Sequence, residues 1–127
     1  MNPTEELFSK DRYAALSHIR LIRAENGSAE AEMTVCPEHL NGVGIVQGGA
    51  IYTIADFALA AAANSRGVPA VTLTTTITFF KGESSGVFRA VAQELSLRHA
   101  VATYQVDVLN GQGERIAALQ GTVYRKG

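Results

Sequence analysis

The residues able to do chemistry gather in one run, HLNGVGIVQGGAIYTIAD, from His39 to Asp56. Between Glu38 and Lys81 the only charged side chains are Asp56 and Arg66, and Arg66 falls just past the end of an apolar stretch, so Asp56 is the sole charge inside it. A carboxylate in apolar surroundings is costly unless partners or water meet it, so Asp56 is either a satisfied structural group or a site where reactivity outranks stability. Gly48 and Gly49 stand where that stretch begins to read as a helix. They have no Cβ to obstruct a ligand, and first-turn N–H groups have no helical partner, so a carbonyl that becomes an oxyanion is stabilised there. Gln47, just before them, adds a neutral amide donor that cannot titrate near neutral pH. Asp56 lies about 12 Å along the axis from Gly48 at 1.5 Å per residue, too far to attack a carbonyl held at the same helix end. The two groups can serve one substrate only across an interface, with a second chain's helix packed antiparallel.

The elements around this run follow from periodicity. Ala50, Ile51, Ile54, Ala55, Ala58, Leu59 and Ala62 recur at helical spacing, which predicts a helix from about Gly48 to about Asn64, stopped by Asn64-Ser65-Arg66-Gly67 and Pro69. Its other faces are nearly as apolar, so it must be surrounded, and its alanines permit close approach. Asn2-Pro3-Thr4-Glu5-Glu6 begins one short N-terminal helix with Leu7, Phe8, Ala15 and Leu16 as its stripe. Alternation from Ile19 to Val35, broken by Asn26-Gly27, predicts a β-hairpin, and Pro37 ends its second strand. His39 to Gln47 is then a glycine-containing loop, in which a histidine is more often a cap than a catalyst. After Pro69 the chain reads as strand. Val71, Leu73, Thr75, Ile77 and Phe79 alternate with Thr72, Thr74, Thr76 and Thr78; further strands span 87–98, with a bulge near Gln93, then Ala102 to Val108, and 114–125 after a turn at Asn110-Gly111-Gln112-Gly113. The expected fold is α+β, an antiparallel β-sheet wrapped around one long central helix: the hotdog architecture. A sheet covers only part of such a helix, so a second copy should cover the rest, in a dimer or a tetramer built as a dimer of dimers.

Composition narrows the function. A chain of 127 residues with 46% hydrophobic content suits a single domain, here 1–127, and a net charge of −1 with scattered basic residues gives no footprint for nucleic acid. One cysteine, Cys36, excludes an internal disulfide, and the absence of an apolar N-terminal signal gives a cytoplasmic expectation. The apolar run holds Gln47, Thr53 and Asp56, which argues for a buried helix over a membrane span. Three scattered histidines build no metal site, and no G-x-S-x-G elbow is present, so neither a metal nor a serine hydrolase is expected.

The run His39, Asn41, Gly44, Gln47-Gly48-Gly49 and Asp56 resembles the pattern H-x-N-x-x-G-x-x-H-G-G-x-x-x-x-x-x-D of hotdog acyl-CoA thioesterases of the phenylacetate-degradation (PaaI-like) type, with Gln47 in place of the usual histidine. The resemblance implies a carbonyl bound at Gly48, Asp56 as nucleophile or base, Asn41 as a positioning group, and Gly49, His39 and a strand threonine against the substrate. The threonine is Thr72 or Thr74, with Thr72 preferred. Substrate would be an aryl- or medium-chain acyl-CoA, with coenzyme A as part of the substrate and no separate cofactor. Two other functions compete: a hotdog enoyl-CoA hydratase, which needs a paired histidine and acid and against which Gln47 counts, and a non-catalytic acyl-CoA binding module, for which Asp56 is an awkward feature.

Overall fold

A computed structural model describes all of residues 1–127. The chain forms α1 (Pro3–Phe8), α2 (Arg12–Leu16), β1 (Ile19–Glu25), β2 (Ser28–Thr34), a 3-10 turn at Pro37–His39, α3 (Gly48–Asn64), β3 (Ala70–Phe79), β4 (Val87–Leu97), β5 (Val101–Leu109) and β6 (Arg115–Arg125). The strands make one antiparallel six-stranded sheet in the order β1-β2-β4-β5-β6-β3. α3 touches every one of them. This is the α+β hotdog arrangement.

The small residues of α3 explain how a helix fits inside the sheet. Nine of its residues are buried, five of them alanine, and an ideal Cβ at Gly121 of β6 would lie 2.7 Å from Leu59 Cδ2. Helix and sheet therefore approach to a distance that only glycine permits on the strand. Around the helix one stripe escapes burial: Gly49 is exposed, and Thr53, Asp56 and Ala60 are half-buried. These positions recur at the three and four spacing of a single face. The end of α3 is fixed by Asn64, whose side chain donates to the carbonyls of Ala60 and Ala70 and accepts from Ala70 N–H (3.0 Å). At the β1–β2 tip Asn26 and Gly27 have φ of 50° and 79°, as a tight hairpin turn requires, and Gly27 N–H donates to Ser65 Oγ (2.8 Å). Arg66 holds Glu94 in two bonds of 2.9 and 3.0 Å, which keeps that carboxyl below its usual range and staples the same tip to β4.

Two expectations need correction. The N-terminal segment is two helices, not one, because Asp11 turns its side chain onto Ala14 N–H (2.9 Å) and caps a new helix. The expected stripe fails with it, since Leu7 and Leu16 are exposed while Phe8 packs edge-on against Phe57 of α3. The second concerns β3. Its pairing with β6 runs Thr72↔Val123 and then Thr74↔Thr122, so Leu73 is an extra residue in a bulge. Thr72 therefore lies on the helix side, opposite buried Val123, while Thr74 lies on the outer face. Simple alternation had put the two threonines together. The bulge foreseen near Gln93 is present, between Glu94 and Ser96.

β3 is also one of the two edges of the sheet, with β1 at the other; it is ten residues long and unpaired on one side, with Val71, Leu73 and Phe79 exposed along it. No helix is long and apolar enough to cross a membrane.

Candidate active site

The loop before α3 is held by its own polar groups. Asn41 Oδ1 accepts from the N–H groups of Val43 (3.0 Å) and Ile45 (3.1 Å), and Asn41 N–H donates to Ile45 O (2.8 Å), so this residue shapes the turn while its amide NH2 stays free. Gly44, with φ of 81°, supplies the left-handed position in that turn. Gln47 then caps α3, and its Oε1 accepts from Gly49 N–H at 2.6 Å. The Gly49 N–H is thus occupied within the chain. Gly48 N–H makes no hydrogen bond within the chain, and the Gln47 amide NH2 remains available beside it. One free backbone donor with one free amide donor suits a carbonyl that gains negative charge.

Phe79 stands against this donor, its ring 3.3 Å from an ideal Cβ at Gly48. Any side chain at position 48 would have to displace that ring. The two residues share an open cleft of about 340 Å³ with Ile45, Val46, Ile51, Phe80, Lys81 and Gly82, whose walls are mainly apolar. Phe79 has no motif or spacing to announce it, because its contact with Gly48 arises only when β3 returns beneath the helix.

Asp56 is elsewhere. It lies half-buried in a hollow of about 110 Å³ with Phe8, Asp11, Tyr13, Ala14, Thr53, Phe57 and Ala60, walled by α1, α2 and α3. Its carboxylate has no hydrogen-bond or ion partner in the chain, and burial alone pushes its pKa above the ordinary value. The hollow shares no residue with the cleft at Gly48. One chain therefore sets Gln47 beside Gly48, with Asn41 shaping the loop before them, and keeps Asp56 apart.

His39 does not face either cavity. The residue is 7% exposed, Nε2 donates to Ser17 O (2.8 Å) and Nδ1 accepts from Cys36 N–H (3.0 Å), so both ring nitrogens are engaged within the chain. Thr74 borders the largest hollow, about 460 Å³ on the outer sheet face, with Thr76, Thr78, Gln105, Gln120 and Thr122. That surface carries no acid or base, and the sheet separates it from α3. Volume is a poor guide to chemistry here.

The description "Thioesterase superfamily" belongs to the family model that matches residues 43–117, from the loop before α3 into β6. The chain belongs to the thioesterase superfamily. As a thioesterase it is a thioester hydrolase, and its match begins inside the loop that presents Gly48. Among its relatives is the acyl-coenzyme A thioesterase PaaI of Escherichia coli, 31% identical over 122 residues, which span 95% of this chain and 87% of that one. The solved E. coli PaaI structure superposes with a TM-score of 0.92, covering 96% of this chain and 89% of that chain at 30% identity. Two solved proteins of Thermus thermophilus, TT0310 and a mutant of its phenylacetic acid degradation protein PaaI, superpose with TM-scores of 0.87 and 0.86, each at 33% identity over 91% of this chain and 98% and 99% of theirs. A Streptococcus pneumoniae thioesterase solved with coenzyme A shares the fold at a TM-score of 0.88, with 21% identity over 96% of each chain.

Proposed function

We propose that this thioesterase acts as a single domain over 1–127 and hydrolyses aryl- or medium-chain acyl-CoA to free acid and CoA at a site shared by two chains. The observation that carries the reading is Asp56: an unpartnered, half-buried carboxylate on the only open stripe of α3. The thioester carbonyl oxygen would sit on Gly48 N–H, with the Gln47 amide as second donor. Asp56 of the second chain takes a proton from water as its oxygen bonds to the carbonyl carbon, the C–S bond breaks, and CoA leaves as thiolate. A thiol with a pKa of about 8.5 needs little acid assistance to depart, so a neutral glutamine at position 47 is compatible with hydrolysis. No cofactor enters these steps.

The edge strand supports the shared site. An unpaired strand with exposed Val71, Leu73 and Phe79 is a template for a second β3, and joining two sheets along it brings two α3 stripes side by side in antiparallel sense. Gly49 and Ala60 permit close approach there. Each Asp56 would then reach the other chain's Gly48, and a dimer, alone or doubled into a tetramer, becomes the catalytic unit. Thr72, on the helix side near the start of β3, is the threonine this arrangement brings toward the substrate.

Incubation with a panel of acyl-CoAs and a colorimetric thiol reagent tests the reading. Release of CoA from at least one of them is expected; binding without thiol release would leave a binding module, and water addition to an enoyl-CoA without CoA release would leave a hydratase. Gln47 gives a finer test. Gln47→Ala should lower kcat by about 10²- to 10³-fold, the usual effect of one lost oxyanion donor. It also removes a cap contributing about 1 kcal/mol, so Gln47→Ser, which can still accept from Gly49 N–H, is the control. The serine variant should keep the melting temperature and still lose the rate; wild-type turnover in it would return Gln47 to a purely structural role.

A further inference from the structure

We propose that His39 is a positioning residue, a clip that holds the donor loop and the wall of the Asp56 hollow in one frame; this rests on the thioesterase site described above. Beyond the bond from its own N–H to Cys36 O (2.9 Å) within the 3-10 turn, three bonds meet at this residue. Its carbonyl accepts from Gln47 N–H (2.8 Å), the residue that caps α3 and precedes the Gly48 donor. Its Nε2 donates to the carbonyl of Ser17 (2.8 Å), the C-cap of α2, whose Tyr13 and Ala14 wall the hollow around Asp56. Its Nδ1 accepts from Cys36 N–H (3.0 Å), with Cys36 Sγ at 3.6 Å, which closes the 3-10 turn.

The chemistry of the ring follows from these partners. A carbonyl can only accept and a backbone N–H can only donate, so both bonds exist together only in the neutral imidazole with its proton on Nε2. The surroundings are the edge of the His18 ring at a centroid distance of 5.8 Å, the neighbouring Glu38 and Cys36, and the backbone of α2. None of these substitutes for either bond. Because Gly48 and Asp56 of one chain serve different sites of the dimer, a loosened His39 disturbs the donor of one site and the base of the other. Misplacement acts on the aligned reaction more than on capture of the CoA ester, so the loss should appear in kcat.

The test combines kinetics with NMR. In a folded His39→Ala enzyme, kcat should fall by about 10²-fold while KM moves by less than about threefold, as expected when reacting groups are displaced by about an ångström. His39→Gln keeps a donor near the Nε2 position and His39→Asn keeps an acceptor near Nδ1, so each should recover part of the rate. In the wild-type enzyme, ring ¹⁵N shifts should report the neutral Nε2–H tautomer. Amide shifts in the variants should change at both Tyr13–Ser17 and Gln47–Gly48. The proposal is overturned by an Nδ1–H or charged ring, by amide changes confined to the 3-10 turn, or by wild-type kcat in the alanine variant. If alanine at 39 prevents folding, the tautomer and the two amide variants decide. If wild-type enzyme releases no thiol from any acyl-CoA, the functional reading fails while the NMR arm still tests the clip.

Discussion

Asp56→Asn removes nearly all thioester hydrolysis, by about 10²- to 10⁴-fold if Asp56 is the general base, and leaves the fold intact. Asparagine keeps the shape of the side chain and opens no cavity. Wild-type Asp56 makes no hydrogen bond or ion pair within the chain, so the substitution forfeits no internal contact. It also removes the cost of burying a charge. Burial raises the folded-state pKa of Asp56 above its unfolded value, so the folded chain holds that proton to higher pH. The group's contribution to stability is then full below the unfolded pKa and is lost as pH rises through the folded one. At neutral pH the variant should therefore melt no lower than wild type, and any gain should vanish in acid. The same shift places the acid limb of wild-type kcat/KM above the ordinary carboxylate range, since the base works only when ionised. Thermal melts at two pH values and a pH–rate profile measure both effects. An active Asp56→Asn enzyme, or one that loses activity only by unfolding, would end the catalytic reading.

A second large effect is restoration of activity in mixed dimers. Gly48→Pro deletes the one backbone donor in the first turn of α3 that has no partner in the chain and should cost about 10²- to 10³-fold. Proline is acceptable at the first position of a helix, and Gln47 before it already has φ of −61° and ψ of 135°, the extended conformation that a residue preceding proline adopts. The ring of Phe79, 3.3 Å from the position of a Cβ, must yield slightly. Circular dichroism should confirm that the variant folds. A dimer of one Asp56→Asn chain and one Gly48→Pro chain then holds one site with both defects and one with none. Activity near half of wild type per heterodimer is expected from two chains that are each nearly inactive. A verified heterodimer that stays inactive would require Asp56 to act within its own chain, against the ~12 Å that separates it from Gly48 on one helix.

Much of this protein is local and so was open to reading from the chain. The span of α3, both glycine-containing hairpin turns, the strand periods and the bulge beside Gln93 are set by short-range sterics and by which side chains must leave water. The donor loop is local as well, since Asn41, Gln47 and Gly48 are neighbours in sequence. The separation of Gly48 from Asp56 needed only the rise of a helix. Tertiary structure decided what depends on groups far apart in the chain. The bulge at Leu73, fixed by pairing with β6, put Thr72 and Thr74 on opposite faces that alternation had joined. His39 became a buried clip because α2 returned to offer the Ser17 carbonyl, and Phe79 met Gly48 because β3 closed the sheet edge beneath the helix. The N-terminal stripe failed because the Asp11 cap outweighed helical continuity across Ser9 and Lys10. Sequence thus determined the elements and the donor loop, whose energies are local, while the register and packing of the folded chain determined which face each remaining side chain presents.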